Sequence, residues 1–265
     1  MHRIAQTLGV TAAVWFAAGA IAEARFLQSD PVGYQVDMNL YTYVMNDPLN
    51  RTDPSGLLSC SASDAGGQAK CDIVVQDAER ASAQLRGAQG RLNNLSGALS
   101  SGGRLNREQR QTQRAFESVY GRGSATAENV SQVAEAAGAA ADWLDSPDTQ
   151  AVLAGPSRDA YASVPAPGAN TVNIYDSYFG SGGRERGAQA RAGSLIHEGG
   201  HGGANMPRHY SFGIPAPGGG YSRYFYGAYG AAGITAYRDI YGTGATLNEA
   251  DALRCAVQPM SSTCP

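Results

Sequence analysis

Leu195-Ile196-His197-Glu198-Gly199-Gly200-His201 is the stretch from which the rest of this chain takes its reading, because two imidazoles stand four residues apart with a carboxylate beside the first. At 3.6 residues per turn, four residues advance about 400°, so in a helix His197 and His201 lie roughly 40° apart on one face. One Zn²⁺ bridges such a pair. Glu198 then projects beside the ion rather than at it, which suits a base that takes a proton from water on the metal. The H-E-x-x-H spacing therefore points to metal-assisted hydrolysis. With four His and nine Glu in 265 residues, chance supplies this pattern only about 0.002 times per chain. Residues 184–196, RERGAQARAGSLI, lead into it with good helix formers, and Leu195 and Ile196 are placed for burial beside the metal. Gly199 and Gly200 oppose a helix by about 1 kcal/mol each relative to Ala, so packing and the metal have to hold it. The plain alternative is a pair of surface histidines on a Gly-rich turn.

A structural zinc is closed by four protein ligands, whereas a catalytic one has three and keeps a place for water, so the third ligand carries the distinction. Residues 246–257, TLNEADALRCAV, read as a helix with Asn248 as its cap, Glu249 and Asp251 in its first turn, and Leu253 and Val257 spaced for burial. Glu249 is the first choice for third ligand, with Asp251 as the acceptor of an imidazole N–H. Asp239, Asp251 and His209 are the alternatives. Acids at a helix start also favour the dipole without any metal.

These residues resemble the zincin superfamily of metallopeptidases, in its glutamate-liganded branch. His197, Glu198 and His201 match residue by residue. Asn248-Glu249-Ala250-Asp251-Ala252-Leu253-Arg254 is similar both to the N-E-x-x-x-D helix of thermolysin-like enzymes and to the glutamate segment of bacterial effector metallopeptidases. Asp239-Ile240-Tyr241-Gly242 is similar to the aspartate-liganded, deuterolysin-like branch, which keeps Asp239 among the ligand candidates. The resemblance implies an α+β, zincin-like fold, one Zn²⁺ on His197, His201 and Glu249, Glu198 as the catalytic residue, and a protein or peptide substrate.

Residues 170–179, NTVNIYDSYF, alternate apolar Val172, Ile174 and Tyr178 with polar neighbours and read as a strand ahead of the metal helix. It is either a core strand or, as in zincins, the sheet edge along which an extended peptide lies. Residues 210–241 are rich in Tyr and Gly and read as a mobile aromatic loop walling a cleft, in which a Tyr hydroxyl or His209 would steady an oxyanion. Residues 72–141 are rich in Ala, Gln, Arg, Glu and Leu, with breaks at Ser101-Gly102-Gly103 and Gly121-Arg122-Gly123, which predicts two or three amphipathic helices. Leu85, Leu92, Leu95 and Leu99 fall at helical spacing and should face a core. Pro165-Ala166-Pro167-Gly168 marks the start of the catalytic half.

At the other end, residues 25–57 carry Asp30-Pro31-Val32-Gly33 and Asp53-Pro54-Ser55-Gly56 around the alternating run Asn39-Leu40-Tyr41-Thr42-Tyr43-Val44. Locally this is a half-buried strand between tight corners. The segment is similar to the end of the RHS repeat-associated core domain, a strand cage around a variable C-terminal toxin. That resemblance implies self-cleavage between Leu57 and Leu58, with Asp30 and Asp53 as the carboxylates. The cage itself takes many hundreds of residues, and only its last strip matches here.

Residues 1–24 carry His2-Arg3, an apolar stretch and Ala20-Ile21-Ala22, the layout of a secretory signal, with an uncleaved anchor or a leftover of cage sequence as alternatives. Cys60, Cys71, Cys255 and Cys264 suggest disulfides, either Cys60 with Cys71 and Cys255 with Cys264 or a tie between the two ends. Twenty Lys and Arg against 23 Asp and Glu leave no basic excess for nucleic acid. The expected layout is a signal-like segment at 1–24, an RHS remnant at 25–57, a mostly helical region at 58–160 and a zincin-like domain at 161–265. The expected function is a secreted zinc metallopeptidase, the toxin tip of an RHS-type protein with an immunity protein as partner and membrane contact only through the N-terminal segment. The competing readings are a non-enzymatic binding tail and a zinc hydrolase of a non-peptide amide.

Overall fold

The computed structural model describes residues 51–52, 58–62, 64–157, 160–207, 211–225 and 229–265. The signal-like segment, the carboxylates Asp30 and Asp53, Leu57 and the ligand candidate His209 lie outside the described residues.

In chain order, β1 (Arg51–Thr52) and β2 (Ser59–Ser61) precede three helices, α1 (Ala65–Ser100), α2 (Arg107–Tyr120) and α3 (Ala127–Leu144). Then come β3 (Gln150–Gly155), β4 (Ala162–Ser163), β5 (Thr171–Tyr175), the single turn α4 (Asp176–Phe179), and the short pair β6 (Gly180–Ser181) and β7 (Arg184–Glu185). The metal-motif helix α5 (Ala188–Gly202) follows, then β8 (Phe212–Pro215), β9 (Tyr221–Phe225), α6 (Gly230–Thr246) and α7 (Ala250–Val257). The fold is mixed α+β, as expected.

The three helices between β2 and β3 start where side chains can cap them. Asp64 accepts from Gly67 N at α1, Asn106 and Gln109 form a reciprocal capping box at α2, and Thr126 accepts from Asn129 N at α3. Both Gly-rich breaks fall between these helices. Leu85, Leu92 and Leu95 are buried and Leu99 is partly so.

A five-stranded sheet has the order β1-β2-β3-β5-β4. The pairs β2–β3 and β3–β5 are parallel, which the helical crossover from β2 to β3 permits, while β1 and β4 pair antiparallel at the two edges. Strand β5 buries Val172 and Ile174 on one face and is an interior strand. Of the two readings of residues 170–179, the core strand is therefore the observed one; the edge is β4, and Asp176 already opens α4. The predicted aromatic loop is replaced by the β8–β9 hairpin and by α6. Gly218, Gly219 and Gly220 have positive φ in the hairpin turn, Gly230 with φ 65° opens α6, and just past the segment Gly242 kinks that helix with φ 81°. Burial of Ile234 and Ala236 holds α6 as a helix despite its glycine content.

One hydrophobic cluster runs from Leu58 to Val257, so the helical region and the metal-motif half share a core. The disulfides are Cys60–Cys71, joining β2 to α1, and Cys255–Cys264, closing the C-terminal segment onto α7. Among the described residues no helix is long and apolar enough to cross a membrane.

Candidate metal centre and cleft

Helix α5 begins at Ala188, four residues later than its helix-forming run, because Arg184 and Glu185 pair with β6 instead. Leu195 and Ile196 are fully buried on one side and would contribute roughly 1.5–3 kcal/mol each by leaving water. The glycines of the motif lie where other helices come close. A Cβ on Gly199 would stand 3.1 Å from Ala140 Cβ, and one on Gly200 would stand 2.9 Å from Ala250 Cβ and 3.2 Å from Met206 Sδ. Gly202 faces the Trp143 ring in the same way. Helices α3 and α7 thus press on α5 along a seam that admits no side chain, which offsets the weak helix propensity.

His197, Glu198, His201, Glu249 and Asp251 are all buried, none more than 8% exposed. His201 Nδ1 lies 3.1 Å from Met206 O; a carbonyl only accepts, so Nδ1 donates, and in the neutral ring the lone pair is then on Nε2. His197 Nδ1 lies 3.4 Å from Asp251 Oδ1 in the same relation, and the two rings have centroids 5.0 Å apart. Glu198 Oε2 accepts from Val164 N at 2.9 Å, one residue past the edge strand β4. Gly168 N donates to His201 O, so the Pro165–Gly168 corner runs along the end of α5.

Asp251 is the hub of this site. Arg254 donates to both its oxygens, at 2.6 and 3.2 Å, and Gly230 N donates at 2.6 Å. Burial by itself would raise its pKa, but the hydrogen bonds and charges of His197 and Arg254 prevail and hold it well below the usual carboxylate range. Burial would likewise lower His197; the Asp251 hydrogen bond with the charges of Glu198 and Asp251 raises it instead.

Glu249, not Asn248, occupies the N-cap position of α7, and it makes no side-chain capping bond. Asn248 instead donates to Gly244 O and accepts from Gln132, because α6 ends just before it and its side chain turns back to that helix. Ala250, next after Glu249, is the residue packed on Gly200, which brings the start of α7 to the histidine pair. Asp239 is on α6 with its side chain 65% exposed and paired with Arg238.

Tyr229 stacks on His197, with centroids 5.6 Å apart and planes 22° from parallel. Burial and the charges of Glu198, Asp251 and Glu249 push its hydroxyl up to about 12, so it stays a donor over the working pH range. Nothing in the sequence singled it out from the other tyrosines of its segment.

A cleft of about 1180 Å³ opens along α5. Its wall includes His197, Glu198, Tyr229 and Asp251 at one end, Ser194, Ala190 and Gly193 along the helix, Tyr161 and Arg186 across it, and residues 259–263 as a lip. Thr263 ties that lip down by accepting from Ala231 N at 2.7 Å and from Arg254 at 3.0 Å.

By donor type the histidine pair fits a zinc ion, since each Nδ1 faces an oxygen acceptor, which in the neutral ring leaves the lone pair on Nε2. Among the described residues no three His, Cys, Asp or Glu side chains already stand at ligand spacing, so the third ligand is not set by geometry. Comparison with known proteins adds nothing to this assignment, because no family model matches the chain and no curated protein matches it.

Proposed function

We propose that this chain is a zinc-dependent metallopeptidase with a zincin-like arrangement, in which His197, His201 and Glu249 hold the metal and Glu198 is the general base. The observation that carries the reading is the pair of anchored imidazoles on one face of α5 with Glu198 between them. When bound, Zn²⁺ lowers the pKa of water and polarises a carbonyl. Asp251 and Met206 O keep both histidines in the ligating tautomer. Glu198, oriented by Val164 N, accepts the proton from the attacking water and returns it to the leaving amide nitrogen. The Tyr229 hydroxyl donates to the developing oxyanion. An extended substrate pairs with the β4 edge, whose next residue already touches Glu198.

In the wider reading the enzyme is the toxic tip of a secreted RHS-type protein, released by a cut between Leu57 and Leu58 and restrained by an immunity protein. Ahead of that cut β1 pairs with β2, so release of the enzyme requires that pairing to be broken.

The test uses the purified full chain. Elemental analysis should find about one zinc per chain in the wild type and in Glu198→Gln, and much less in Glu249→Ala. Peptide hydrolysis, followed through new N-termini in a digested proteome, should fall by about 10²-fold or more in Glu198→Gln. A folded, zinc-free wild type would replace this reading by the binding tail. Zinc with Glu198-dependent release of a non-peptide amide, and no new N-termini, would move it to the zinc hydrolase of a non-peptide amide.

A further inference from the structure

The cleft continues past the histidine pair along α5, and on its far wall lies a cation, Arg186, that no acid among the described residues matches. The Arg186 guanidinium lies 3.6 Å from the centroid of the Tyr161 ring, which sets its plane against that wall. Its hydrogen bonds go to Ala190 O at 3.0 Å, Ser194 Oγ at 3.1 Å and Tyr178 O at 3.4 Å, all neutral acceptors. Among the described residues no carboxylate pairs with it. Asp77, whose charge reaches Arg186, is taken up by Arg80, Arg191 and the Tyr178 hydroxyl. The other cleft cation, Arg254, is committed to Asp251. The neighbouring Gln84, Gln189 and Gln258 bond one another through their amides and bring no charge. Burial lowers the pKa of Arg186, the mark of a cation short of solvent.

We propose that Arg186 forms an anion subsite that selects a substrate carboxylate two to four residues from the bond cleaved at Glu198. The spacing follows from α5 itself. Ser194 and Ala190, which hold the guanidinium, precede Glu198 by one and two turns, about 6 and 12 Å along the axis. An extended peptide covers that distance in roughly two to four residues at about 3.3 Å each. The inference rests on the peptidase reading for the word "cleaved", though not for the binding of the carboxylate.

The experiment takes the full chain carrying Glu198→Gln, to block turnover, and fluorescent dodecapeptides with amidated C-termini. Single Glu or Gln residues are scanned through a neutral background, and binding is read by anisotropy. Glu should bind about tenfold or more tighter than Gln over a short window of positions, the range of a charge-assisted hydrogen bond. Arg186→Gln should abolish the difference, Arg186→Lys should retain part of it, and Arg186→Glu should prefer Lys. A parallel set of neutral peptides with free C-termini separates the two sources of carboxylate; tighter binding of that set alone assigns the subsite to a chain terminus. Equal binding of Glu and Gln peptides, or a preference that survives Arg186→Gln, overturns the proposal. The Glu against Gln comparison with Arg186 intact decides it even where a variant fails to fold. Cleavage of the same peptides by the wild type is scored separately. Acid-dependent binding without cleavage keeps the subsite and removes the peptidase reading, whereas cleavage with no acid preference does the reverse.

Discussion

Each histidine of the motif is oriented by one neighbour that the motif does not contain. Met206, five residues after His201, supplies a carbonyl, and Asp251, from another helix, supplies a carboxylate. The pair itself and the acid beside it were legible because four-residue spacing has only one meaning on a helix. So was Asp251 as an imidazole's partner. Tyr229 was not, since its selection depends on where α6 starts, and Asp239 was ranked among the ligands although its side chain faces solvent. The prediction at this scale concerns Tyr229. Tyr229→Phe keeps the ring that stacks on His197 and removes only the hydroxyl, so kcat should fall by about 10²-fold while KM moves little. An unchanged kcat in steady-state kinetics would exclude the hydroxyl from oxyanion binding.

Among the helices, glycine means different things in different places, and sequence alone prices them alike. Gly200 is pressed against Ala250 and Met206, whereas Gly90, exposed on α1, has open space around the position of a Cβ. Gly200→Ala gains helix propensity of about 1 kcal/mol but overpacks the seam at a cost of about 1–3 kcal/mol. It should therefore lower the melting temperature and weaken zinc binding, because α7 carries Asp251. Gly90→Ala should stabilise by about 0.4–1 kcal/mol. Thermal unfolding of the two variants side by side checks the contrast in sign. The three-helix region was readable from its Gly breaks and capping residues, all of which act locally. The hairpin and α6 were not, because glycine, alanine and tyrosine in that segment carry weak local preference and their conformation follows from burial.

At the scale of the molecule, a single core ties the α1–α3 region to the metal-motif half, and its largest members include two buried tyrosines with different surroundings. Tyr178 donates to Asp77, and Tyr120 has a buried hydroxyl with no partner among the described residues. Burial raises Tyr120 far above the ordinary tyrosine range, and burial with the Asp77 charge does the same for Tyr178. A folded-state pKa above the unfolded value of about 10 favours the neutral form, so this stability is fully present below about pH 10 and is lost as pH climbs through the folded values. Urea midpoints should decline beyond pH 10. Tyr120→Phe removes an unsatisfied buried hydroxyl, so it should leave the pH 7 midpoint unchanged or higher and make the alkaline decline shallower. A decline identical to the wild type's would show that Tyr120 does not ionise on unfolding in that range.

What this sequence determined by itself is whatever follows from neighbours along the chain: the helices and their caps, the alternation of β5, and two histidines with a glutamate on one helix face. Spacing and steric preference act over a few residues and need no fold to be read. Tertiary structure alone decided which acid meets which histidine, why glycines are tolerated inside α5, that β4 rather than β5 is the sheet edge, and that Arg186 lines the cleft with no acid paired to it among the described residues. Those outcomes depend on contacts between residues far apart in the chain, such as Asp77 with Arg191, 114 positions apart, and the energy that selects them exists only once the core has closed.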